Sequence, residues 1–175
     1  MSQRQILRTQ AGSRQQIKGL LESLFVSELL SPSPRIYLVS AWIRDIHILD
    51  NRSGSFRGLD PAWGPRVLRL SEILRILVSR GSELVLAIRE DQGNREFARR
   101  LTSGLGESEM ARMAILTRAN LHVKGLLGEG YAITGSMNFT NYGVESNEEL
   151  LQYESDPQKL AELRMEFEQA YGRPQ

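Results

Sequence analysis

The chain has no cysteine among its 175 residues. That absence excludes disulfides, thiolate zinc sites, iron–sulfur clusters and cysteine nucleophiles together. Only two histidines are present, His47 and His122, too few for most polyhistidine metal sites, and no metal or other cofactor is expected. No apolar run approaches the roughly 18 residues of a membrane span. The polar start Met1-Ser-Gln-Arg-Gln does not read as a secretory leader, so a cytoplasmic protein without a membrane partner is expected. Lysine is also scarce, with Lys18, Lys124 and Lys159 set against 19 arginines. What is present is ordinary globular composition, 41% hydrophobic and 25% charged. A single domain over residues 1–175 is expected, with residues 1–11 as a loose polar arm.

The net charge of +1 conceals a gradient. Residues 1–80 carry 12 basic and 6 acidic side chains, residues 81–140 carry 7 of each, and residues 141–175 carry 3 and 8. A basic first half is a mild sign of a polyanionic partner, weaker than a basic stripe.

Hydrophobic periodicity lays out the elements. From Ser13, the spacing Ile17, Leu20, Leu21, Leu24, Phe25, Leu29 predicts a helix, stopped by Ser31-Pro-Ser-Pro34. Ile36 to Ile43 reads as a strand buried on both faces. Residues 44–64 read as a long glycine-bearing loop with a short strand at 46–49. A helix from Val67 to Gly81, a strand from Glu83 to Ile88 and a helix at 92–103 follow. Strands are predicted at Met113–Leu116, Leu121–Leu127, Tyr131–Gly135 and Leu150–Tyr153, with antiparallel, hairpin-like pairing across 113–135. Asp156-Pro157 opens a last helix as N-cap and first-turn proline. The order predicts an α/β fold, a mixed β-sheet flanked by helices on both faces.

Chemistry concentrates between residues 120 and 150. On a strand, His122 and Lys124 in Asn120-Leu-His-Val-Lys124 would share a face, with Leu121 and Val123 on the other. Gly135-Ser-Met-Asn138 ends the next strand and offers backbone N–H groups, a hydroxyl and an amide to phosphate oxygens. In Asn147-Glu-Glu149, a carboxylate could accept from the imidazole and fix its tautomer. Each piece alone is better explained as a solvated strand face, a turn or an acidic surface.

Taken in order, His122-x-Lys124, Gly135-Ser136-x-Asn138 with Phe139-Thr140, and Asn147-x-Glu149 resemble the phospholipase D superfamily, and in particular its short bacterial endonucleases. Ile36 to Ile43 is similar to that family's first core strand. The family aspartate, five residues after the lysine, is replaced by Glu129, and the interval from Glu129 to Gly135 is one residue short. Either Glu129 takes over the aspartate's structural role or the turn at Gly128-Glu-Gly130 is tightened. Length and general look are also similar to the short phospholipase D-like proteins of bacterial clusters that install deazaguanine bases in DNA.

The resemblance implies a metal-independent phosphodiesterase. His122 would attack phosphorus and form a phosphohistidine. Lys124, Asn138 and Ser136 would offset charge on the five-coordinate phosphorus, and Glu149 would orient the imidazole. A second histidine must protonate the leaving oxygen. His47 lacks the accompanying motif and reads as a structural or rim residue, so the second histidine is expected from another copy of the chain in a homodimer joined through the active-site face. Nucleic acid, DNA before RNA, is the expected substrate. Arg44, Arg52, Arg57, Phe56 and Trp63 of the 44–64 loop are candidates to hold it by phosphate contact and stacking. Two alternatives stay open: a catalytically silent nucleic-acid-binding or assembly subunit, and a phospholipase or cardiolipin-type hydrolase.

Overall fold

The computed structural model describes residues 3–8, 11–145 and 149–172. In chain order the elements are β1 (Gln3–Arg8), α1 (Ala11–Leu30), β2 (Arg35–Ser40), β3 (His47–Asp50), β4 (Val67–Arg69), α2 (Leu70–Ser79), β5 (Glu83–Ile88), α3 (Gln92–Thr102), α4 (Glu107–Met110), β6 (Met113–Thr117), β7 (Gly125–Leu127), β8 (Ala132–Gly135), α5 (Asn141–Glu145), β9 (Glu149–Glu154) and α6 (Pro157–Tyr171).

Seven strands form one mixed sheet in the order β1-β9-β8-β7-β2-β5-β6. β2, β5 and β6 run parallel, and β7, β8, β9 and β1 follow in antiparallel steps from β2. One end of the sheet therefore gathers the C-terminal ends of β2, β5, β6 and β8 with the N-terminal ends of β7 and β9. In open sheets containing parallel strands, the carboxyl ends are where ligands bind.

Both faces are covered because β2 and β5 carry apolar residues on both sides. Ile36, Leu38, Leu84 and Leu86 pack with Ile17 and Phe25 of α1, Ile73 and Leu77 of α2, and Phe97 and Leu101 of α3. Tyr37, Val39, Val85 and Ala87 face Leu160, Phe167 and Tyr171 of α6. Each fully buried large apolar side chain contributes roughly 1.5–3 kcal/mol. At the end of the sheet away from the β8 exit, the buried Glu28 of α1 accepts from the N–H and hydroxyl of Ser33, at 2.8 and 2.6 Å. The same hydroxyl accepts from Glu129 N at 2.7 Å, which ties α1 to the β7–β8 turn.

Four expectations are corrected. Gln3–Arg8 is not a loose arm but an edge strand registered on β9. Of the strand expected over Leu121–Leu127, only Gly125–Leu127 pairs, so residues 121–124 form an irregular approach to β7. β6 does not form a hairpin with β7; it lies at the far edge, parallel to β5. The first core strand ends at Ser40, after which Ile43 makes an isolated bridge to Phe139.

The segment leaving β2 is held by α3. Buried Asn94 accepts from Ile43 N at 2.8 Å and donates to Ala41 O at 2.9 Å and Arg89 O at 2.8 Å. Asp91 caps α3 by accepting from Gly93 N and Asn94 N, and it pairs with Arg44 at 3.0 Å. Partial burial pushes the Asp91 carboxyl up, but the N–H groups and the Arg44 guanidinium outweigh it and hold the group below its ordinary value. A carboxyl depressed in the folded state stabilises above the unfolded-state pKa, and that stabilisation disappears as pH falls. Asp91→Ala should therefore cost about 1 kcal/mol in urea unfolding at neutral pH. The deficit should narrow below about pH 4; a deficit independent of pH would contradict this role.

Candidate active site

His122 and Lys124 sit on the irregular segment that leads into β7. The His122 ring is exposed, and among the described residues it has no hydrogen-bond partner. Lys124 is half-buried, and its ammonium donates to the His122 carbonyl at 2.7 Å. The expected alternation is not observed here: Leu121 is buried, but Val123 is 48% exposed beside His122. The cause is the lack of strand pairing over 121–124, which removes the two-residue period.

Across the sheet, β8 ends at Gly135. Its φ is +145°, and a Cβ there would lie 2.0 Å from Leu150 O, so the close approach of β9 admits only glycine. Ser136 follows. Its N–H donates to Leu150 O at 3.0 Å, its oxygen accepts from Leu150 N at 3.0 Å, and its hydroxyl donates to the Glu149 carboxylate. Glu149 is 5% exposed. The structure thus gives this carboxylate a serine partner, a contact the sequence did not suggest. Asn147 and Glu148 lie outside the described residues.

Asn138 is placed through its oxygen. Oδ1 accepts from Trp42 N at 3.3 Å and lies 3.3 Å from the Ser40 hydroxyl, which directs the amide –NH2 away from these contacts. Fully buried Ser40 also donates to Trp42 O at 2.7 Å and accepts from Phe139 N at 3.2 Å. Sequence reasoning missed Ser40 and Asn94. Their only signal was a buried polar residue at the end of a strand and one just inside a helix.

All five expected site residues, His122, Lys124, Ser136, Asn138 and Glu149, lie at the same end of the sheet. Glu129 does not. It is at the opposite end, in the β7–β8 turn, where its side chain pairs with Arg164 at 3.2 Å. His47 is exposed at the start of β3 and lines a separate cavity of about 510 Å³ with Lys18, Asp50 and Arg52. No three His, Cys, Asp or Glu side chains cluster as metal ligands among the described residues.

No protein-family model and no curated protein sequence matches the chain. Solved structures do. NucT from Helicobacter pylori superposes over 95% of this chain and 94% of its own, with a TM-score of 0.54 and 11% identity. Nuc from Salmonella typhimurium, a phospholipase D family member, superposes over 97% and 93%, with a TM-score of 0.51 and 18% identity. The fold is the phospholipase D fold. TrmBL2, an archaeal chromatin protein, shares it over 97% of this chain and 52% of its own, with a TM-score of 0.54 and 12% identity. Within the phospholipase D fold, the expected motif residues occupy the carboxyl-terminal end of the parallel strands.

The 44–64 loop keeps Arg57 exposed, but its two aromatic rings turn inward. Trp63 is 5% exposed and Phe56 packs against the main core, so neither ring is presented for stacking. Arg44 and Arg52 are paired with Asp91 and Asp50. The Arg52 guanidinium holds the Asp50 carboxyl down at about 2. Among the described residues no helix is long and apolar enough to cross a membrane.

The Ser136 contacts give a direct stability test. Ser136→Ala removes the hydroxyl donor of buried Glu149 and the acceptor for Leu150 N. It should lower unfolding free energy by about 1–3 kcal/mol, read as a fall in Tm. An unchanged Tm would mean that solvent satisfies both groups.

Proposed function

We propose that this protein is a metal-independent phosphodiesterase acting on nucleic acid, DNA in first place, through an active site shared by two copies. The observation that carries the reading is the convergence of His122, Lys124, Asn138 and the Ser136–Glu149 pair at one end of a phospholipase D fold. The exposed imidazole is the nucleophile. It attacks phosphorus, the bond to the leaving oxygen breaks, and a phosphohistidine forms. Lys124, released from the His122 carbonyl, and the Asn138 amide offset charge on the five-coordinate phosphorus. The His122 imidazolium of the second copy gives its proton to the leaving oxygen. It then takes a proton from the water that attacks phosphorus and restores the first imidazole. Buried Glu149 is bonded to Ser136 and holds the β8–β9 side of the site.

Exposed apolar side chains support the pairing. Val123 is 48% exposed, Leu150 40% and Tyr142 73%. All three belong to the segments that flank the site on its β7, β8 and β9 side. Exposed apolar side chains around a site that lacks its second histidine suit a two-fold contact with the same surface. DNA carrying deazaguanine bases belongs among the first substrates to assay, given the resemblance in length to proteins of those modification clusters.

The decisive assay is oligonucleotide cleavage in EDTA. Wild-type protein should cut with the chelator present, and His122→Ala should lose at least about 10²-fold in rate while still binding. Lys124→Arg should not restore the rate, because a planar fork replaces a point charge. Glu149→Gln should stay folded and turn over more slowly. Equal rates for wild type and His122→Ala would remove the assignment, and binding without cleavage would favour a silent binding subunit. Sedimentation should show a dimer that Leu150→Glu splits, with loss of cleavage; an active monomer would contradict the shared site.

A further inference from the structure

The site end of the sheet divides into two halves. The β7–β9 half carries His122 and Lys124 and exposes the apolar Val123, Tyr142 and Leu150. The β2–β5–β6 half is cationic and aromatic, with Trp42, Arg89 and Arg118. Ile88 of β5 registers with Thr117 of β6, and Arg118 N donates to Ile88 O at 2.9 Å, continuing the ladder. Arg89 and Arg118 are the next residues on two parallel strands in register, so both side chains leave the same face. Neither is in an ion pair among the described residues. Like charges side by side on a sheet are destabilising unless an anion answers them, and the guanidinium fork suits phosphate.

Arg89 is held at two points. Its Nε donates to Ala119 O at 3.0 Å, and its Cζ lies 5.5 Å from the centre of the Trp42 ring. The indole is 42% exposed even so. Its backbone is fixed by Asn138, and its level relative to His122 follows from the register. Val39 pairs with Gly125 on antiparallel β7. Trp42, three residues beyond Val39, and His122, three before Gly125, therefore lie at the same end of the sheet.

Building on the nucleic-acid reading of this site, we propose that Trp42, Arg89 and Arg118 form a subsite for an unpaired nucleotide next to the scissile phosphate. The base stacks on the Trp42 ring, and the adjoining phosphate is held by Arg118 and the terminal nitrogens of Arg89. Bases inside a duplex have no open face for such stacking, so the subsite selects single strands.

The test measures binding in the full-length His122→Ala protein, using fluorescein-labelled single-stranded DNA and anisotropy. Adding Trp42→Ala should weaken binding by about tenfold. Trp42→Phe should stay within about threefold, and the Trp42→Ala deficit should shrink when the strand is abasic. Arg118→Gln should weaken binding and flatten its salt dependence. Unchanged affinity in Trp42→Ala, an equal deficit on the abasic strand, tighter binding of duplex, or no binding at all would each overturn the subsite. The readout does not depend on turnover. Trp42-dependent binding by a wild-type protein that never cleaves would sink the phosphodiesterase reading and leave the subsite standing. Cleavage with no Trp42 dependence would do the reverse.

Discussion

One buried hydroxyl holds the site to the sheet. Ser40 ends β2 with no exposed surface, and its oxygen meets Trp42 O, Asn138 Oδ1 and Phe139 N. Two chain segments nearly a hundred residues apart are fastened there. One is the exit of β2, which carries Trp42; the other is the turn after β8, which carries Asn138. A buried polar group is costly unless it is fully satisfied, and these contacts satisfy Ser40 only in this arrangement. The backbone bond from Arg44 N to Phe139 O at 2.8 Å and the Ile43–Phe139 bridge extend the same fastening outward.

The two ends of the sheet are built for different purposes. At one end, Glu28, Ser33 and the Glu129 backbone close the β7–β8 turn inward, and burial together with the Glu28 charge pushes the Tyr131 phenol well above its ordinary value. That end holds structure. At the other end the backbone is irregular over 121–124, the His122 imidazole is exposed, and Glu149 is buried under Ser136. The acidic residues after β5, Glu90 and Asp91, pair with Arg95 and Arg44, while Arg89 and Arg118 have no acidic partner among the described residues. Position 129, where the resembled motif carries aspartate, belongs to the closed end, at the opposite end of the sheet from His122.

The sequence made legible what depends on local pattern. β5 runs over Glu83–Ile88 as its apolar run predicts, α6 begins at the Asp156 cap, and the five motif residues come to one end of the sheet. Tertiary pairing decided the rest. Gln3–Arg8 has no strand-like alternation and is a strand because β9 offers an edge. The apolar run through Leu121 and Val123 resembles a strand, yet it has no partner there, and Val123 faces out. Phe56 and Trp63 sit in a polar loop but turn inward to the core, whereas Trp42, at the end of an apolar run, turns outward. Ser40 and Asn94 act through contacts distant in sequence, which no local window displays.

The account rests on the His122 ring as the atom group that takes phosphorus from the substrate. The most direct measurement is a reaction with 5′- or 3′-labelled DNA quenched in base or denaturant, followed by peptide mass spectrometry of the protein under non-acidic conditions. A nucleotide adduct stable to base, labile to acid and located on His122 is the predicted result. Steady cleavage with no protein adduct at early times, or an adduct on another residue, would contradict it.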